Sequence, residues 1–297
     1  MLSLIPVFEL DCILFPGEIT LSPYRLVAID VDGTLHTSER TVPPEVPPYL
    51  RKLEERGVMV ALCTGRRYRV TLPILREVGV RSPMVLHSGA LVRNPLDHTT
   101  IFRRYLPPDL ARTVVAVMKA RERHPIMWID EYDAGIDMVS TRAARETIEE
   151  KYLARHGEYV RLVDDLEEFE SDRIFAVCSW GDFDELANVG EAVSAALGDK
   201  VHYHVAKRII EENSILEVFE GSVSKWNALS MLAGMHGIPR EGIAAIGDNY
   251  NDVEMVRKAG LGIAMGNAVP ELKAVADYVT VSNDENGLLR ALQRFFQ

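Results

Sequence analysis

Short, almost purely apolar runs recur near both ends of this chain, and they restrict its fold more than any other feature. Residues 25–30 read RLVAID, 58–63 VMVALC and 83–88 PMVLHS, while 242–247 read GIAAIG, 261–266 LGIAMG and 277–282 DYVTVS. A strand-length run that is apolar at successive positions belongs to a strand covered on both faces, as in a parallel sheet flanked by helices. Helical patterns separate the runs. In PPYLRKLEERG, Leu50 and Leu53 share a face and Gly57 supplies a stop; RRYRVTLPILREVG follows the second run despite Pro73. Toward the C-terminus SKWNALSMLAGMHG (224–237) has Ser224 as its N-cap, NDVEMVRKAG (251–260) ends on glycine, and a further short helix precedes the last strand. This alternation predicts an α/β fold with a Rossmann-like parallel-sheet core.

The middle of the chain is different. The runs IMWIDEYD, RIFAVCSW, KVHYHVA and SILEVFE mix polar with apolar residues, and amphipathic helices are expected at 108–122, 141–155 and 183–197. Alternation of this kind predicts a sheet with one open face. The expected organisation is a core of two segments, 1–91 (with an N-terminal extension, 1–23) and 217–297, interrupted by an inserted α+β domain at 92–216.

Composition narrows the function. The 297 residues are 47% hydrophobic and 26% charged, which is globular, and the net charge of −11 disfavours a nucleic-acid surface built from clustered Lys and Arg. Cys12, Cys63 and Cys178 are odd in number and widely spaced, which suits a reducing compartment; Cys63 reads as a core residue. The first 23 residues lack a basic leader and are interrupted by Pro6, Glu9, Asp11, Pro16 and Glu18, so neither a signal peptide nor a membrane span is expected. The chain is expected to be cytoplasmic, without a membrane or nucleic-acid partner, as a monomer or homodimer.

Four stretches that carry chemistry each lie just past the carboxyl end of an expected strand, where ligands bind in open parallel sheets. Asp30-Val31-Asp32-Gly33-Thr34 places two carboxylates one residue apart. A calcium loop opens similarly, but it needs glycine at its sixth position and an acid at its twelfth, and Leu35 and Thr41 stand there. A plain turn also accounts for it. Thr64-Gly65-Arg66 offers a hydroxyl and backbone N–H groups to an anion, or simply a helix cap. Lys225 begins a helix, at the end where a cation is disfavoured, unless it is only an exposed lysine. In Gly247-Asp248-Asn249-Tyr250-Asn251-Asp252, Asn251 or Asp252 serves as a cap, but Asp248 directly off the strand is not explained that way. Three acids, a lysine and a hydroxyl at one sheet edge suit Mg²⁺-assisted phosphoryl transfer. The cation offsets repulsion between the acids, one carboxylate attacks phosphorus, and its neighbour moves the proton.

The ordered set DVDGT, TGR, SKWNAL and GDNYNDVEM, with AGLGIAMGNAVPELKAVADYVT and SNDENGL behind it, closely resembles the haloacid dehalogenase-like phosphatases, in particular their Cof-type branch. The resemblance implies Asp30 as nucleophile and Asp32 as general acid/base. It implies Thr64, Gly65, Lys225 and Asn251 around phosphate, Mg²⁺ on Asp30, Asp32 (through its backbone carbonyl) and Asp248, and Asp252 in support. It also implies a large cap inserted within 65–224 and closing over the site, with a small phosphate ester as substrate. Trp226 and the HSGA stretch (87–90) depart from the family pattern and put substrate orientation in question. Trp128, Asp130, Glu131, Tyr132 and His204 are the cap candidates for recognition. The expected activity is hydrolysis of sugar phosphates or similar phosphomonoesters through an aspartyl-phosphate. A sugar-phosphate mutase or phosphotransferase with the same nucleophile is the alternative, and a non-catalytic phosphate-ligand binding protein is the alternative of another class.

Overall fold

A computed structural model describes residues 22–142, 148–207 and 213–297; the expected N-terminal extension, with Cys12, lies almost wholly outside them. The first part of the chain forms β1 (Leu26–Ile29), α1 (Val46–Glu55), β2 (Met59–Leu62), α2 (Tyr68–Val78), β3 (Met84–Leu86), β4 (Leu91–Arg93) and β5 (Thr100–Arg103). The middle forms α3 (Pro108–Lys119), β6 (Ile126–Glu131), β7 (Ile136–Thr141), α4 (Ile148–His156), β8 (Val160–Val163), β9 (Ile174–Gly181), α5 (Phe183–Leu197), β10 (Val201–Lys207) and β11 (Ser214–Glu220). The last part forms α6 (Lys225–Met235), β12 (Ile243–Gly247), α7 (Val253–Lys258), β13 (Leu261–Ala264), α8 (Pro270–Lys273), β14 (Tyr278–Val279) and α9 (Gly287–Phe295).

The core is a parallel sheet in the order β14-β13-β12-β1-β2, so the first and last parts of the chain build one layer. β1 lies between β12 and β2 with every residue buried, as a continuous apolar run requires. Ile29 pairs with Ile246 on one side and Leu62 on the other. This register brings the residues that follow the three strands out at the same edge. Cys63 is buried there, and burial pushes its thiol up to about 12, in keeping with a core role.

The 83–88 run joins this sheet only through a parallel bridge between Cys63 and Val85; β3 otherwise pairs antiparallel with β4, and β4 with β5. Residues 91–93 therefore lie beside β3, and 100–103 beside β4. A six-stranded sheet, β10-β11-β9-β6-β7-β8, carries the middle of the chain. The helix expected from 141 begins later: Thr141 ends β7 and α4 starts at Ile148, with 143–147 outside the described residues.

The expectation of an open face on this sheet is corrected. Met127, Ile129, Leu216 and Val218 pack with α3 and α5, while Ile126, Trp128, Ile215 and Phe219 on the opposite face join the core cluster. β9 is buried along its whole length. The polar members of the alternating pattern, such as Ser179, His204 and Glu217, are buried too. His204 and Glu217 lie on the face toward the core and Ser179 on the face under α3 and α5, so neither row meets solvent, a distinction that periodicity alone does not make.

Candidate active site

Asp30 leaves β1 with its N–H donating to the Ile246 carbonyl at 3.0 Å, and is 5% exposed. Lys225, the first residue of α6, reaches it: Nζ donates to Asp30 Oδ1 at 2.5 Å and to Asp252 Oδ1 at 2.6 Å, with the lysine 1% exposed. A lysine at a positive helix end is thus explained by two buried carboxylates. Burial alone lowers its pKa, but Asp252 and Asp30 more than reverse this and keep the ammonium charged. Ser224 caps the helix as expected, accepting from the Asn227 N–H at 3.1 Å.

Asp252 is fully buried and its second oxygen accepts from the N–H groups of Asp248 (3.1 Å) and Asn249 (3.0 Å). With both oxygens engaged, it holds the 247–252 loop and Lys225 in place. Helix capping within this loop falls to Asn249, with Asp252 closing the box, rather than to Asn251. Asp248 accepts from Thr34 Oγ1 at 3.0 Å. The turn at 31–35 needs Gly33, whose φ is +81°; a Cβ there would stand 2.4 Å from Asp248 Oδ2.

Oxygens of Asp30, Asp248 and Asp252 lie within 4.8 Å of one another. Burial pushes the Asp30 carboxyl up to about 7; Lys225 opposes this, while Asp252 and Asp32 add to it. Burial, then Asp30 and Asp252, also raise Asp248 well above the usual carboxylate range. Charge this concentrated in a buried place fits a divalent cation with oxygen ligands.

Asp32 sits apart from this cluster. Its carboxylate takes a two-pronged ion pair from Arg66, Nε at 2.7 Å and a terminal nitrogen at 2.5 Å, and its side chain is 53% exposed. Thr64 is buried, with Oγ1 accepting from the Arg66 N–H at 3.1 Å, and α2 starts only at Tyr68. The threonine thus shapes the 64–66 loop instead of capping the helix. Asn251 Nδ2 donates to Ser88 Oγ at 3.4 Å. Ser88 belongs to a backbone stretch with positive φ at His87, Ser88 and Gly89, where a Cβ on Gly89 would overlap the Ser224 carbonyl at 2.1 Å.

Trp226 does not disturb the site. It is buried in the hydrophobic core, one helical position round from Lys225. A cavity of about 680 Å³ opens over the cluster, a size suited to a small metabolite. Its lining includes Asp30, Asp32, Thr64, Gly65, Asp248 and Asn251 from the core. None of the five cap candidates lines it. Asp130 is paired with Arg93 and Tyr105, Glu131 with Arg161, and Tyr132 meets Tyr68 edge to face and carries Arg69. Trp128 and His204 both bond to Glu217, which does line it, with Tyr152 and Trp180. Sequence reasoning passed over these three. An acid in the middle of the strand SILEVFE was the available signal, since a buried strand accepts a carboxylate only with partners.

A family model described as haloacid dehalogenase-like hydrolase matches residues 27–292. Among curated relatives, 5-amino-6-(5-phospho-D-ribitylamino)uracil phosphatase YitU of Bacillus subtilis is 28% identical, over 92% of this chain and 98% of that one. Pyridoxal phosphate phosphatase YbhA of Escherichia coli is 24% identical, over 89% and 96%. A crystal structure of a haloacid dehalogenase-like hydrolase from Bacteroides thetaiotaomicron superposes with a TM-score of 0.77 at 25% identity, covering 92% of this chain and all of that one.

Proposed function

Because the chain belongs to the haloacid dehalogenase-like hydrolases, we propose that it is a Mg²⁺-dependent phosphatase of small phosphorylated metabolites working through an aspartyl-phosphate. The observation that carries this reading is the buried Asp30–Lys225–Asp252 cluster at the end of β1, with Asp248 beside it. Curated relatives named as phosphatases of phosphorylated small molecules support it.

In this reading an Asp30 carboxylate oxygen attacks phosphorus and the P–O bond to the leaving alcohol breaks. Asp32 gives its proton to the departing oxygen, then takes one from the water that releases phosphate from Asp30. For this Asp32 exchanges its contact with Arg66 for one with the substrate. Lys225 holds Asp30 in place and places positive charge beside the entering phosphate, where Thr64, Gly65 and Asn251 bind its oxygens. Asp30, Asp248 and the Asp32 carbonyl would hold Mg²⁺, supported by Asp252. The cation supplies charge neutralisation for phosphate at this acidic edge.

The six-stranded sheet with its helices is the proposed cap, expected over 92–216; its last strand continues to Glu220. Cytoplasmic placement belongs to the same proposal, on the odd number and wide spacing of the cysteines, and a monomeric or homodimeric state is proposed with it. No helix among the described residues is long and apolar enough to cross a membrane.

Phosphate release from a panel of phosphorylated metabolites, with Mg²⁺ and with EDTA, tests the activity. Metal-dependent release without isomer formation is expected, and formation of an isomeric phosphate instead would favour a mutase. Asp30→Asn should abolish release while leaving the melting temperature near that of the wild type; turnover in that variant would overturn the nucleophile assignment.

A further inference from the structure

Two motif stretches near the C-terminus, AGLGIAMGNAV around Asn267 and SNDENGL around Asn283, have no part in the chemistry above. Their asparagines grip the turn at 31–35. That turn is a wide one: the Leu35 N–H donates to the Asp30 carbonyl at 3.2 Å and the His36 N–H to the Val31 carbonyl at 2.9 Å, each bond spanning five residues. Wide turns are rare and concentrate at functional sites, and the carbonyls between the closing bonds need partners from outside. For Gly33 that partner is Asn267, whose Nδ2 donates to the carbonyl at 2.9 Å. Asn267 Oδ1 in turn accepts from the Asn283 N–H at 3.0 Å, so both ends of the amide are engaged and its orientation is set. Asn283 is buried and donates from Nδ2 to the His36 carbonyl at 2.9 Å; the neighbouring Asp284 Oδ1 accepts from the Ser38 N–H at 2.8 Å. Loops that follow β13 and β14 thus hold a turn that follows β1, from the far side of β12.

In the phosphatase reading, on which this inference rests, the turn gives Asp32 two tasks: its carbonyl faces the cation and its carboxylate the leaving oxygen. The Asp32 and Gly33 carbonyls belong to successive peptide planes joined at a glycine, the residue with the greatest backbone freedom. Anchoring the second plane therefore limits the first. Thr34 Oγ1, which donates to Asp248 Oδ1 at 3.0 Å, ties the same turn to the acidic cluster. We infer that Asn267 and Asn283 are positioning residues that fix the 31–36 backbone, and through it the Asp32 end of the Mg²⁺ site. They act through the turn, although both also line the cavity.

Asn267→Ala and Asn283→Ala test this beside the wild type. The measurements are the Mg²⁺ Kd by calorimetry without substrate, kcat and KM for p-nitrophenyl phosphate at saturating Mg²⁺, and the melting temperature. Groups that orient metal ligands are worth about 10–100-fold in metal affinity or activity. Each variant should therefore raise the Mg²⁺ Kd and lower kcat by about tenfold or more. KM should stay within about twofold, because Thr64, Lys225 and Asn251 still hold the phosphate. Asn267 is exposed, so its alanine variant remains folded and decides the matter should Asn283→Ala fail to fold. A lowered melting temperature with Kd and kcat within about threefold of wild type would overturn the inference and leave a purely structural clamp. So would a loss confined to KM, which would make the asparagines substrate ligands. Absence of release from every ester by the wild type would overturn the phosphatase reading, and the Mg²⁺ titration would then decide alone whether the asparagines shape the cation site. Absence of Mg²⁺ binding as well would overturn both.

Discussion

Replacing Lys225 by methionine isolates the interaction on which the site is built. The ammonium is the shared partner of Asp30 and Asp252, at 2.5 and 2.6 Å, and all three groups are buried. Removing one member of a buried ion pair costs about 3–5 kcal/mol, because the remaining charge keeps its desolvation penalty and loses its partner. The penalty should depend on pH with a definite sign. Burial already pushes Asp30 up to about 7, and Lys225 is the group that opposes this. Without the lysine the folded protein retains a proton that the unfolded chain has released. Stability of Lys225→Met should then fall as pH rises above the ordinary carboxylate range, by about 1.4 kcal/mol per pH unit for one retained proton. Urea unfolding in EDTA at pH 6 and pH 8, beside the wild type, measures both quantities. Adding Asp252→Asn should recover about 2 kcal/mol, since the double variant buries one uncompensated charge fewer. A Lys225→Met protein within about 1 kcal/mol of wild type at pH 8, or strict additivity of the two substitutions, would refute the reasoning.

Two further outcomes come from the local geometry. Gly33→Ala forces a Cβ against Asp248 and places alanine at φ +81°, a backbone penalty of about 1–2 kcal/mol, so phosphate release should fall by more than about 100-fold with only a modest drop in melting temperature. His87 is 3% exposed and stacks on Phe175 with ring centroids 4.6 Å apart. Burial pushes its imidazole down to about 3, so between the ordinary histidine range and that value the unfolded chain binds a proton that the folded chain refuses. Stability should therefore decline as pH falls from about 6.5, by up to about 1.4 kcal/mol per unit relative to His87→Asn, whose side chain tolerates the positive φ there. Parallel stability curves for the two proteins from pH 6.5 to 4.5 would show that His87 is protonated in the fold.

The sequence by itself determined the core and the residues at its edge. The runs RLVAID, VMVALC and IAAIG became the adjacent strands β1, β2 and β12, because residues apolar at successive positions suit only strands buried on both faces. Once those strands are parallel and in register, Asp30, Thr64 and Asp248 must emerge at one edge. Lys225 declared itself by standing where a helix end disfavours it. Tertiary structure decided the rest. Periodicity records that polar and apolar residues alternate, but not whether the polar row meets water or a neighbouring layer. One face of the middle sheet therefore reads as open, and Glu217 draws no attention, until the six-stranded sheet packs over the core. Trp226 read as a disturbance beside Lys225, yet consecutive helix residues point in different directions, and the packing of α6 turns the tryptophan into the core. Arg66 and Asp32 are separated by a helix and a strand in the chain, so their ion pair exists only once β1 and β2 lie side by side. What local pattern encodes is which apolar residues are buried. Which buried residues share a cavity depends on the relative placement of two layers, and contacts between residues far apart in the chain set it.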